Sequence, residues 1–183
     1  MTITYKQIFD ENFLSNFEES KRKQFQELEL YENEYSINLD KVIELLDLNV
    51  QKLIIDAHSG KLSDNTIYIN VTENESRQRF TMAHEIGHFV LGHQGENGVN
   101  YRSDLINGIE ERQANDFAAK LLMPKELIIR TLKKVLDDFG YSITELNQIP
   151  TNLIISRLSE YMKVSKSAMR YRLINLHMLV EGE

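Results

Sequence analysis

Hydrophobic positions from Tyr5 to Glu32 are scattered through a charge-rich stretch that reads as mainly helical, and in Asn38–Asp47 (NLDKVIELLD) they return at three- and four-residue spacing. At Lys52 the pattern changes. Lys52–Ala57 (KLIIDA) and Thr66–Val71 (TIYINV) are short β-branched runs, separated by HSGKLSDN with its Ser-Gly and Asp-Asn turn signals. Together they predict a β-hairpin over residues 52–71. Thr72 and Glu75, in a T-x-x-E frame, predict a capping box that opens a helix over 72–91, closed by Gly92. Phe80, Met82, Ala83, Ile86, Phe89, Val90 and Leu91 leave that helix almost no polar face, so it is expected to be buried. A polar loop over 92–107 precedes a second helix over 108–122, with Asn107 as N-cap and Pro124 as terminator. Further helices are expected at 126–139, 152–164 and 166–176. The expected class is α+β: mostly helical, with a small antiparallel β-sheet and a C-terminal helical region. The natural division falls between residues 1–135 and 136–183.

Composition adds exclusions. The 183 residues are long enough to bury one core, and 42% hydrophobic with 27% charged residues describes an ordinary water-soluble chain. No run approaches the roughly 18 apolar residues of a membrane helix, and MTITYKQIFDENF is not a secretory signal. With no cysteine, disulfides, thiolate catalysis and cysteine-based zinc fingers are excluded, and the expected compartment is the cytoplasm. A net charge of -7 argues against broad affinity for nucleic acid. The charge is uneven: residues 1–60 carry 12 acids and 6 bases, residues 125–183 carry 9 bases and 7 acids.

The chemistry concentrates in TMAHEIGHFVLGH, Thr81–His93, which holds three of the five histidines. His84 and His88 are four apart and point the same way on a helix, so they can grip one ion. H-E-x-x-H on a helix is a zinc-peptidase signature, with Glu85 beside the ion as general base. Two unpaired imidazoles and a carboxylate midway along a buried helix are costly to desolvate, and a metal removes that cost. Zinc needs a third ligand. His93 is poorly placed, since a metzincin pattern requires glycine at 91 and histidine at 94, where this chain has Leu91 and Gln94. In the second helix, Glu110 and Glu111 both border the apolar stripe of Ala114, Phe117, Ala118, Leu121 and Leu122. Periodicity does not choose between them; capping by Asn107 would occupy Glu110 and leans toward Glu111. As first-turn acids, both also suit the helix dipole without any metal.

RQRFTMAHEIGH (Arg77–His88) followed by EERQANDFAAKLLMP (Glu110–Pro124) resembles the ImmA/IrrE family of metallo-endopeptidases. The resemblance covers about residues 50–125. It implies a zincin-like fold, one Zn2+ per chain and, four residues before Asn115, Glu111 as the third ligand with Glu110 as fallback. It also implies a protein substrate, a helix-turn-helix repressor whose cleavage derepresses genes of a mobile element or stress response. Oxyanion stabilisation needs a further donor, for which Tyr101 and His93 are candidates. The strand Thr66–Val71 is a candidate border of the cleft, where a substrate would add as an extended strand. A rival reading comes from Leu153–Leu179, whose two helix patterns meet at Val164-Ser165 with Lys163, Lys166, Arg170 and Arg172 nearby, as in a helix-turn-helix. The acidic total and the core-like Met169, Leu173, Leu176 and Leu179 argue against direct DNA binding.

Overall fold

A computed structural model describes residues 2–55, 59–93 and 104–180, with 104–107 as backbone alone. The first stretch, expected as mainly helix, is broken into short elements: β1 (Thr2–Thr4), α1 (Tyr5–Ile8), α2 (Glu11–Leu14), α3 (Glu19–Glu27) and β2 (Glu29–Tyr31). Local hydrogen bonds set the breaks. Thr4 and Gln7 form a capping box, and the Asp10 side chain accepts the Phe13 N–H at 2.7 Å to restart the helix. β1 pairs antiparallel with β2, Ile3 opposite Leu30. Between them, Tyr5, Phe9, Phe13, Phe17 and Phe25 bury their rings against one another. Asn38 then caps α4 (Leu39–Leu45), accepting the Lys41 N–H.

The hairpin expected over 52–71 needs correction. Strands β3 (Asn49–Leu53), β4 (Gly60–Ser63) and β5 (Thr66–Asn70) form a mixed sheet in the order β3–β5–β4. β5 runs parallel to β3 and antiparallel to β4. The turn that pairs with β5 is Asp64-Asn65, both left-handed at φ 47° and 58°. A two-residue left-handed turn joins only the strands that flank it, so the partner is the weakly β-forming GKLS rather than KLIIDA. The β-branched look of KLIIDA misled because Ile54 is 75% exposed. The inward alternation belongs to Ile67 and Ile69 on β5, both fully buried. The sheet is therefore mixed, while the β1–β2 pair is the antiparallel one; the α+β class stands.

Helix α5 (Glu75–Val90) starts three residues later than expected, because Asn74 rather than Thr72 caps it, accepting the Arg77 N–H at 2.9 Å. Thr72 instead gives both its N–H and its hydroxyl to Asn70 Oδ1. At the other end Gly92, φ 68°, turns the chain as expected, and the His93 N–H donates to His88 O at 3.0 Å. Helix α6 (Asp104–Leu122) begins a turn before residue 108, so Asn107 lies within it and the capping argument for Glu110 fails. Then come α7 (Lys125–Phe139), a 3-10 turn (Ile143–Gln148), α8 (Thr151–Met162) and α9 (Lys166–Asn175). One buried cluster runs from Tyr5 through Ile86, Phe117 and Val135 to Met162 and Leu173, joining residues on both sides of position 135. No described helix is long and apolar enough to cross a membrane.

Candidate metal centre

Two helices lie unusually close where the histidines project. A Cβ on Gly87 would sit 3.2 Å from Ala114 O and 3.3 Å from Ala114 Cα on α6, as well as 3.1 Å from Phe117 Cδ1. Backbone cannot move aside as a side-chain tip can, so the glycine between the two histidines sets how near α5 and α6 come.

Across that contact, three donor atoms converge. His84 Nε2 and His88 Nε2 are 3.0 Å apart, and each lies 3.3 Å from a different oxygen of Glu111. Among the described residues these three form the group of potential ligands within reach of one ion. Their outer partners fix the tautomers. His84 Nδ1 is 3.1 Å from Asn115 Oδ1, an acceptor, so Nδ1 carries the proton and Nε2 presents a lone pair. His93 Nε2 is 3.1 Å from Gln113 Oε1, and His93 Nδ1 is 3.0 Å from His88 Nδ1. A proton on His93 Nε2 therefore leaves His93 Nδ1 to accept from His88 Nδ1–H, and again Nε2 is bare. Burial pushes the pKa of His88 down to about 4 and also lowers that of His84, keeping both imidazoles neutral. Two lone pairs and a carboxylate facing each other with no proton between them repel. A cation resolves this: donors at about 2.0–2.1 Å from a tetrahedral ion stand roughly 3.3–3.4 Å apart, close to what is seen. The residues present fit zinc.

Glu85 lies beside the cluster, only 8% exposed. Burial, then repulsion from Glu111, push its pKa up to about 7, against a backbone hydrogen bond from Leu62 on β4. That places a carboxyl group of near-neutral pKa next to the donors.

The structure thus brings together His84, His88, Glu111 and Glu85. It places His93 behind His88, on the ring nitrogen facing away from the other donors, rather than among the ligands. Tyr101 lies outside the described residues. Strand Thr66–Val71 is not at the cleft edge, since β5 is central; β4 adjoins Glu85 through Leu62. Sequence reasoning missed Asn115 and Gln113 as partners of the histidines. Asn115 stands four residues after Glu111, on the same helix face, and that spacing was available as a signal.

A His-Glu-x-x-His helix facing a carboxylate on a second helix, flanked by a small sheet whose edge strand reaches the glutamate, defines a zincin-like metal-site fold. A family model for the IrrE N-terminal-like domain, a peptidase family, matches residues 42–174, and the chain belongs to that family. The chain is similar to the radiation response metalloprotease IrrE of Deinococcus radiodurans, 32% identical over 115 residues, covering 60% of this chain and 30% of that protein. It is also similar to the protein of the same name in Deinococcus deserti, 33% identical over 115 residues, 60% of this chain and 36% of the relative. The matched region thus spans about a third of the length of these curated relatives.

Proposed function

We propose that the protein is a zinc-dependent endopeptidase acting on a protein substrate, specifically a helix-turn-helix repressor whose cleavage derepresses mobile-element or stress-response genes. The observation that carries the peptidase reading is the convergence of two bare Nε2 atoms and a carboxylate beside a buried Glu85. Membership in a peptidase family supports it, and the repressor rests on the motif resemblance.

His84, His88 and Glu111 would hold the ion, and the chemistry zinc supplies when bound is Lewis acidity toward a peptide carbonyl. Glu85 accepts the proton of the attacking water and passes it to the leaving amine, a role suited to a pKa near 7. Asn115 and the Gln113–His93 pair keep the imidazoles turned inward. Among the described residues β4 has only β5 as a strand partner, so an extended peptide can lie along its outer side, next to Glu85. Of the two oxyanion-donor candidates, His93 lies behind His88, which leaves Tyr101 for that role.

The test is Glu85→Gln, which leaves the ligands intact. Purified protein should retain near-stoichiometric zinc, while kcat falls roughly a hundred- to ten-thousand-fold. Co-expressed with a neighbouring helix-turn-helix repressor, the natural protein should yield a fragment that a chelator suppresses. Equal derepression by both forms with no fragment would refute the peptidase reading.

A further inference from the structure

A cleft of about 500 Å³ opens between α5, α6 and α9, within the ~300–1,000 Å³ range of ligand pockets. Two of its lining residues, Phe80 and Asn115, are neighbours of His84 in the metal cluster. Phe80, in its wall, precedes His84 by four residues, and Asn115, also in its wall, both follows Glu111 by four and holds His84. Each lies one helical turn, about 6 Å, from the ligand on its own helix. The floor is apolar, built from Phe80, Ala119, Leu122, Met123 and Val164.

The outer wall is α9, presenting Ala168, Tyr171, Arg172 and Asn175 at the i, i+3, i+4, i+7 spacing of one face. This is the helix that reads as a DNA-recognition helix, yet both of its arginines are committed elsewhere. Arg172 is 9% exposed and donates Nε–H to Met123 O at 2.9 Å, fastening α9 to the end of α6. Arg170 donates to Asn152 Oδ1 at 2.7 Å. Tyr171, 68% exposed, stands at the cleft mouth.

We infer that this cleft is a specificity pocket, in which α9 helps select an apolar side chain of the substrate. Its site assignment rests on the peptidase reading. An extended chain advances about 3.3 Å per residue, so a peptide bond at the cluster puts the side chain one or two residues away over the apolar floor. A leucine, methionine or phenylalanine fills such a floor; Arg77 at the rim disfavours an adjacent lysine or arginine.

The experiment uses full-length, zinc-loaded Glu85→Gln protein to select from a random ten-residue peptide library, so that no cutting is required. One position should be enriched in large apolar residues. Ala168→Phe, which fills the pocket, and Tyr171→Ala, an exposed change that spares the fold, should each reduce that enrichment roughly tenfold or more at unchanged zinc affinity. Enrichment identical in all three proteins, or none in any, overturns the inference. So does retention of duplex DNA that Tyr171→Ala abolishes while peptide selection stays constant. Failure of the natural protein to cut the selected peptides would instead count against the peptidase reading alone.

Discussion

The aromatic layer of residues 5–25 and the polar face shared by α5 and α6 meet at Phe117, and they work by different rules. The Phe117 ring lies tilted at 4.9 Å from that of Phe13 and 6.0 Å from that of Phe17, and it packs against Gly87. Behind the helix pair, the aromatic layer supplies shape: its rings are interchangeable in chemistry but not in volume. In front, His84, His88, Glu111 and Asn115 each supply particular atoms, the two Glu111 oxygens included. Damage to the first should appear as lost stability, and damage to the second as lost metal at nearly constant stability.

The largest effect is expected for Phe117→Ala, which removes the ring common to both regions and should cost about 3–5 kcal/mol in urea unfolding. Excess zinc should restore part of that loss by mass action on the folded state. A cost below about 1 kcal/mol would separate the aromatic layer from the metal helices. Next comes Tyr5, fully buried, whose hydroxyl is pushed mainly by burial from its ordinary 10.0 up to about 12. The folded value exceeds the unfolded one, so this stabilisation is complete below pH ~10 and disappears as pH rises through about 12. The two-unit gap corresponds to about 3 kcal/mol. Unfolding free energies across that range should fall accordingly in the natural protein, and the fall should shrink in Tyr5→Phe. The smallest change in stability should come from Asn115→Leu, an exposed position whose loss frees the His84 ring. Competition with a chelating dye should show zinc affinity reduced about 10–100-fold, while the metal-free protein unfolds within ~0.5 kcal/mol of the natural one. Unchanged zinc affinity would mean that Asn115 does not hold the imidazole.

The same contrast explains what could be read in advance. His84, Glu85 and His88 were legible because a four-residue spacing on a helix fixes direction without any tertiary knowledge. Periodicity narrows the carboxylate only to the pair Glu110 and Glu111; in the structure the two oxygens of Glu111 lie against the two imidazoles. Asn107 does not cap Glu110, since α6 starts before it. Strand β4 was missed because Gly60–Ser63 has little β character of its own and is held by its turn and its partner. Gly60 also fits a tight place, where a Cβ would lie 2.5 Å from Thr81 Cγ2. The N-terminal aromatics read as scattered apolar positions on a helix, because ring-to-ring packing between short elements leaves no single period in the chain.

Gly87 gives one of the two unspecified positions of the His-Glu-x-x-His frame a definite requirement. A methyl group added there would act as a shim between α5 and α6, widening the gap by a few tenths of an ångström against the Ala114 backbone. Jaws opened by that amount would still carry every ligand yet close less firmly on the ion. In the proposed metal site, retention would therefore be tuned by a residue that has no side chain to touch the ion.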